Sequence, residues 1–144
     1  MDTKILNKLL FVVLALAVLG TVVALIFFIT APPVNKFTEF YILGMQDKAM
    51  NYPERLKIGE DTSLTLGIIN QEQTEVSYRV EIRIDGILIE DIGPVTLEAN
   101  EKREQKITFA LDNLGDNQKV EFLLYKQGQS DVYESLHLLV DGVN

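Results

Sequence analysis

From Leu9 to Ile29 the chain runs 21 residues without a charge, interrupted only by Gly20 and Thr21 among aliphatic, aromatic and alanine side chains. As a helix, at about 1.5 Å per residue, such a run spans roughly 31 Å, close to the ~30 Å hydrocarbon core of a bilayer. A chain of 144 residues has room for one ordinary domain and a small appendage, and the core helix of such a domain has no need of this stretch. The run predicts a transmembrane helix over residues 9–30, preceded by a short segment, 1–8. A cleaved signal peptide is the main alternative. Its apolar region is shorter, about 7–15 residues, and ends in small residues, whereas this run ends Ile29-Thr30-Ala31-Pro32-Pro33, a poor cleavage site.

Lys4 and Lys8 precede the run and the first cation after it is Lys36, so the positive-inside bias predicts a cytoplasmic N-terminus and an extracytoplasmic remainder. Within the run, Ala17, Gly20 and Ala24 stand about one turn apart, a spacing that permits close helix–helix packing. Such residues are also common in solitary membrane helices, so self-association stays open.

Residues 31–144 carry 11 Lys/Arg against 20 Asp/Glu, a charge of −9. That field repels phosphate backbones and argues against nucleic-acid binding. The chain has no cysteine, so this part must be held together by its core alone.

Pro32 and Pro33 keep residues 31–36 out of a helix and make them a short stiff stem. Beyond it the apolar period becomes two. Val76, Tyr78, Val80, Ile82 and Ile84 share one face, with Ser77, Arg79, Glu81, Arg83 and Asp85 on the other, which is a half-buried antiparallel strand. It leads through the hairpin signal Asp85-Gly86 into a returning strand, Ile87 to Ile92, ended by Gly93-Pro94. Further strands follow from the same alternation: Phe37 to Leu43, Thr62 to Asn70, Glu104 to Leu111, Lys119 to Lys126 and Val132 to Val140, with Val95 to Leu97 as a further short one. The fold class expected is all-β, an immunoglobulin-like antiparallel β-sandwich of 7–8 strands over residues 37–144, preceded by one transmembrane α-helix.

Several phrases occur in a telling order: FTEFYILG at Phe37–Gly44, NYP at Asn51–Pro53 with IGE at Ile58–Glu60, GIINQE at Gly67–Glu72, VSYRVEIRIDG from Val76, then NQKVEFLLYK and YESLHLLV toward the end. Together they resemble the exported domain of the prokaryotic membrane-protein family called domain of unknown function 1616, over residues 37–140. Many members carry several membrane helices ahead of this domain, whereas here there is one such run. The resemblance implies architecture and a membrane location, and it brings no catalytic residues.

The residues themselves offer little chemistry. His137 is the single histidine, which with no cysteine gives no transition-metal set, and alternation turns it outward. No nucleophile elbow, phosphate-cradling glycine loop or zinc-protease pair occurs, so no catalytic residue and no cofactor is expected. Asp112, Asn113, Asp116 and Asn117 could offer oxygen ligands to calcium, but they lack regular ligand spacing and are also what an interstrand turn would use. Glu60-Asp61 and Glu90-Asp91 read as solvated strand ends, and the mixed run Glu101 to Lys106 as a solvated edge.

More suggestive are apolar side chains on outward faces: Phe37, Tyr41 and Leu43 on the first strand, Leu123 and Tyr125 on the Lys119–Lys126 strand, and Tyr133 and Leu139 on the last. Were these strands neighbours, their outer faces would form an apolar patch of the kind that marks a partner site; otherwise the loop from Gly44 to Leu56 folds over them. The expected function is a membrane-anchored, extracytoplasmic, non-enzymatic binding or structural module of a cell-envelope assembly, with the bilayer and a protein partner or second copy as its contacts. The alternatives are an accessory subunit of envelope polysaccharide machinery and a pilin-like filament or motor-anchoring subunit.

Overall fold

A computed structural model describes residues 2–31 and 36–144. The chain divides into two compact units, the helical segment and the β-domain, each with its own internal contacts. The stem expected at 31–36 lies mostly outside the described residues, which take in only its two ends, Ala31 and Lys36.

The helical unit is one uninterrupted helix, α1 (Thr3–Thr30). It starts six residues before the uncharged run because Lys4 and Lys8, good helix formers, extend it. Asp2 caps it through its carbonyl, which accepts from the Ile5 and Leu6 amides at 2.9 and 3.1 Å. None of its residues is buried, and its 28 residues give a rod of about 42 Å, long and apolar enough to cross a membrane.

The β-domain is a sandwich of eight strands: β1 (Thr38–Leu43), β2 (Arg55–Lys57), β3 (Thr62–Asn70), β4 (Val76–Ile84), β5 (Ile87–Leu97), β6 (Lys102–Phe109), β7 (Gly115–Lys126) and β8 (Glu134–Val143). One sheet has the order β1-β3-β6 and the other β2-β8-β7-β4-β5. All pairings are antiparallel except β2 with β8. That exception arises because the chain leaves the three-stranded sheet after Leu43, crosses one side of the sandwich, and joins the other sheet beside the last strand. Period-two alternation carries the core: Phe40 and Ile42, Leu64 to Ile68, Tyr78 to Ile82, Ile107 and Phe109, and Val120 to Leu124 meet between the sheets.

At the near end of the sandwich, where Phe37 leads into β1, the core is closed by polar groups. Asn70 is fully buried; its amide donates to the carbonyls of Thr74, Leu97 and Glu98 at 2.8–3.1 Å, and its Oδ1 accepts from the Glu72 amide at 2.9 Å. Beside it the hydroxyls of Tyr78 and Thr38 share a 2.8 Å hydrogen bond, Thr38 donates to Glu72, and Lys126 pairs with Glu72. Each buried polar group thus has a partner.

Several strand ends shift by one to three residues from expectation, and four differences matter more. The short strand β2 was too brief for periodicity to reveal. The returning strand does not stop at Gly93-Pro94, which forms a cis peptide bond, but continues to Leu97. An edge strand tolerates proline, and the register shift opposite Tyr78 and Val80 absorbs the extra residues. The loop expected over Asp112–Asn117 is shorter, because β7 already begins at Gly115 and accommodates Asp116 and Asn117 as a bulge, with Asn117 at φ 53°. Finally, alternation puts Glu81 on the polar face of its strand, yet it is only 7% exposed. Arg79 and Arg83 reach its carboxylate at 2.8 and 2.7 Å and the Tyr125 hydroxyl donates to it at 3.2 Å, covering it from three sides.

Candidate partner-binding surface

The two sheets do not close on the side where β1 and β8 face one another. A cleft of about 620 Å³ lies there, lined by Phe40, Ile42, Leu136 and Leu138 together with Tyr41, Leu43, Ala49, Tyr52, Ser135 and His137. β1 is an edge strand of its sheet, and β8 meets β2 only from Asp141 to Val143, so Glu134 to Val140 is also an edge.

The direction of the backbone groups follows from alternation along each strand. The Thr38 amide donates to the Tyr133 hydroxyl at 3.3 Å and the Ile42 carbonyl accepts from the Tyr52 hydroxyl at 2.9 Å, so the even-numbered residues of β1 direct their amides and carbonyls away from β3, toward the cleft. In β8 the Asp141 amide donates to the Glu54 carbonyl and the Val143 carbonyl accepts from the Ile58 amide, so the odd-numbered residues face the β2 side. Phe40 on one rim, and Ser135, His137 and Leu139 on the other, therefore present ladder groups with no neighbouring strand to meet them.

The opposite edges are built differently. β5 has two register shifts, Pro94, and the acidic pair Glu90-Asp91, while β6 lines its edge with Lys102, Arg103, Glu104 and Lys106. Bulges, proline and charge are the usual devices that stop an edge from taking up another strand. From Ser135 to Val140 there is no charged residue, and β1 carries only Glu39.

The outward apolar residues expected to form one patch are divided between two sheets. Phe37, Tyr41 and Leu43 belong to the β1 side, and Leu123, Tyr125 and Leu139 to the outer face of the five-stranded sheet, so they make no continuous surface. Tyr41 lies flat over Gly67, where any Cβ would overlap its ring; its hydroxyl donates to Glu104 at 2.7 Å, and Lys102 stands 5.9 Å from the ring centroid. Burial first, and then the hydrogen bond to Glu104, push the Tyr41 hydroxyl above its ordinary pKa. Tyr125 is buried beneath Arg79, 4.6 Å above its ring, and Tyr133 is held by Thr38 with the Lys126 ammonium 3.5 Å from its ring centroid. Both tyrosines are thus engaged by the domain itself. Leu123 is half-buried, while Phe37 and Leu139 stay exposed.

The loop from Gly44 is fixed at two points, and its Ala49 lines the cleft with Tyr41 and Leu43. Asp47 accepts from the Thr65 hydroxyl at 2.6 Å at the far end, and Tyr52 turns to the β1 edge. Asp112, Asn113 and Asp116 are all exposed, and the segment is organised by its own chain: Gln118 donates to the Asn113 carbonyl at 2.7 Å, and Asp141 accepts from the Asn117 amide at 2.8 Å. Among the described residues no group of three or more His, Cys, Asp or Glu is placed to hold a metal ion. His137 is exposed on β8, as its parity requires. Ala17, Gly20 and Ala24 lie on α1, all exposed.

Two features escaped the sequence reading. The β4–β5 hairpin tip exposes Ile87, Leu88 and Ile89 by 70, 50 and 43% at the far end, a run apolar on both faces that a strand buried on one side would not have. The cleft itself was missed because its rims, β1 and β8, are nearly a hundred residues apart in the chain.

The family described as domain of unknown function (DUF1616) matches residues 31–141. No curated protein matches the sequence. Among solved structures the β-domain is similar to the CARDB domain of the PF1109 protein from Pyrococcus furiosus. The crystal structure of that domain, in complex with di-metal ions, is 16% identical over 75% of this chain and 89% of that one, with a TM-score of 0.54. Its solution NMR structure is 15% identical over 76% and 98%, with a TM-score of 0.52. At such identities the likeness concerns the fold, an immunoglobulin-like sandwich.

Proposed function

The chain belongs to the DUF1616 family, and we infer that it is a membrane-anchored, non-enzymatic binding module, its β-sandwich standing outside the cytoplasm as part of a cell-envelope protein assembly. The observation that carries this reading is the pairing of a long apolar helix that buries none of its residues with a sandwich that leaves apolar side chains and bare strand edges in the open. Water-facing apolar surface of this kind favours association. A bilayer tether holds the domain near other membrane components, so contacts that are weak in solution suffice. The two lysines ahead of the helix support the N-in orientation.

The test is crosslinking and co-purification of the full chain from native membranes under mild solubilisation, combined with cysteine accessibility. A cysteine placed at Gln129 should react with a membrane-impermeant maleimide in intact cells, and one at Asp2 only after lysis. A protein emerging alone and monomeric would sink the assembly reading, and the reverse labelling pattern would sink the orientation.

A further inference from the structure

We propose that the lateral cleft between β1 and β8 receives an extended, positively charged segment of a partner protein, which adds to the five-stranded sheet as a strand beside β8. The proposal rests on the reading of the domain as a binding module and names the site and the chemistry of what it binds.

The backbone specifies the shape of the occupant. Ser135, His137 and Leu139 direct amides and carbonyls outward along one rim, and Phe40 does so on the other. The free stretch of β8, Glu134 to Val140, is seven residues, or about 23 Å at the rise of a strand. The fold already uses this edge once: β2 lies on it from Asp141 to Val143, and Pro53, which has no amide to give, stands just before β2. Only an extended backbone can answer such a row.

The cleft floor specifies the side chains. Phe40, Ile42, Leu136 and Leu138 point inward from the two rims, so an added strand would set every second side chain against an apolar surface and turn the others to water. Bulges, proline and charges guard β5 and β6, whereas this side carries none of these devices between Ser135 and Val140.

Charge separates a partner from a second copy. Each exported part bears −9, and the segments that bound the cleft, 36–57 and 131–141, carry Lys36, Lys48, Arg55 and Lys57 against Glu39, Asp47, Glu54, Asp131, Glu134 and Asp141, an acidic excess of two. Two copies brought edge to edge would repel, while a segment rich in lysine or arginine would be drawn in.

The experiment places p-benzoylphenylalanine at Ser135 in the full-length protein in its native membranes, with a second probe position at Ile87 on the hairpin tip. The Ser135 adduct, digested and sequenced, is expected to hold a segment with apolar residues at alternate positions and an excess of lysine and arginine. His137→Pro removes an outward amide without touching the β7 pairing. Losing one ladder bond and the fit around it should cut the Ser135 yield by roughly tenfold or more. His137→Lys, an exposed change that leaves the fold alone, should reduce the yield by opposing charge, and His137→Glu should preserve or raise it.

An adduct with a second copy of this chain, with lipid alone, or with a segment that is acidic or lacks alternation overturns the proposal. So does a full yield from both His137→Pro and His137→Lys. Adducts from Ile87 but none from Ser135 refute the cleft and leave the binding-module reading standing; adducts from neither position remove both.

Discussion

Asn70 is the side chain on which the near end of the sandwich depends most. Its amide holds the carbonyls of Thr74, Leu97 and Glu98, and its Oδ1 takes the Glu72 amide, in a position with no exposed surface. In Asn70→Ala the Leu97 carbonyl, the most deeply buried partner, loses its hydrogen bond at about 1–3 kcal/mol, and the three shallower groups lose about 0.5–1 kcal/mol each because water can reach them. The expected loss is about 2.5–6 kcal/mol, a large part of the roughly 5–15 kcal/mol that holds an ordinary domain together. Urea unfolding of the full chain in mild detergent measures it, followed by the fluorescence of the five tyrosines in a protein without tryptophan. A loss below about 1 kcal/mol with an unchanged slope would refute the idea that this amide closes the core. Asn70→Asp supplies a signed companion test. A carboxylate there would face three carbonyl oxygens, so the fold favours the protonated acid and raises its pKa. The folded state then binds more protons than the unfolded one, and the variant should regain stability as pH falls.

The native Glu81 behaves in the opposite sense. Burial pushes its carboxyl up, but the hydrogen bonds from Arg83 and Tyr125 and the charges of Arg83 and Arg79 together outweigh burial and hold its pKa below the usual value. Its contribution to stability is therefore present above the unfolded pKa, about 4.3, and is lost as pH falls through the lower folded value. The urea midpoint of the native chain should decline below about pH 4.3, and Glu81→Gln should flatten that decline; equal slopes would contradict the assignment. Gly67→Ala should lift Tyr41 off the sheet and break its bond to Glu104, so the Tyr41 hydroxyl should titrate nearer its ordinary value in an alkaline absorbance titration. An unmoved titration would mean that the ring finds another seat.

Much of this architecture was legible locally. The uncharged run from Leu9 to Ile29 is a helix, and Val76 to Ile84 alternates as a strand and is one. Asp85-Gly86 turns the chain, with both residues at positive φ, 49° and 83°. Each of these depends on neighbours within a few residues, where periodicity and turn chemistry act. The three-residue β2 carries no such signal; it exists because the last strand offers it an edge.

Pairing over long distances decided the rest. Alternation places Tyr125 and Glu81 on outward faces, and only the β4–β7 register that seats Glu81 opposite Leu123 and Arg79 opposite Tyr125 turns that face into a covered ion cluster. The same logic divides the expected apolar patch: Tyr41 and Leu43 fall on one sheet, Leu123 and Leu139 on the other. By itself the sequence determined a membrane-type helix followed by an all-β domain with a strongly acidic surface, because hydrophobic length, period and charge are sums over local residues. Tertiary structure alone decided which strand edges stay open. Phe40 and His137 become the rims of one cleft only when the chain switches sheets between Leu43 and Arg55, and no window of sequence contains both sides of that switch.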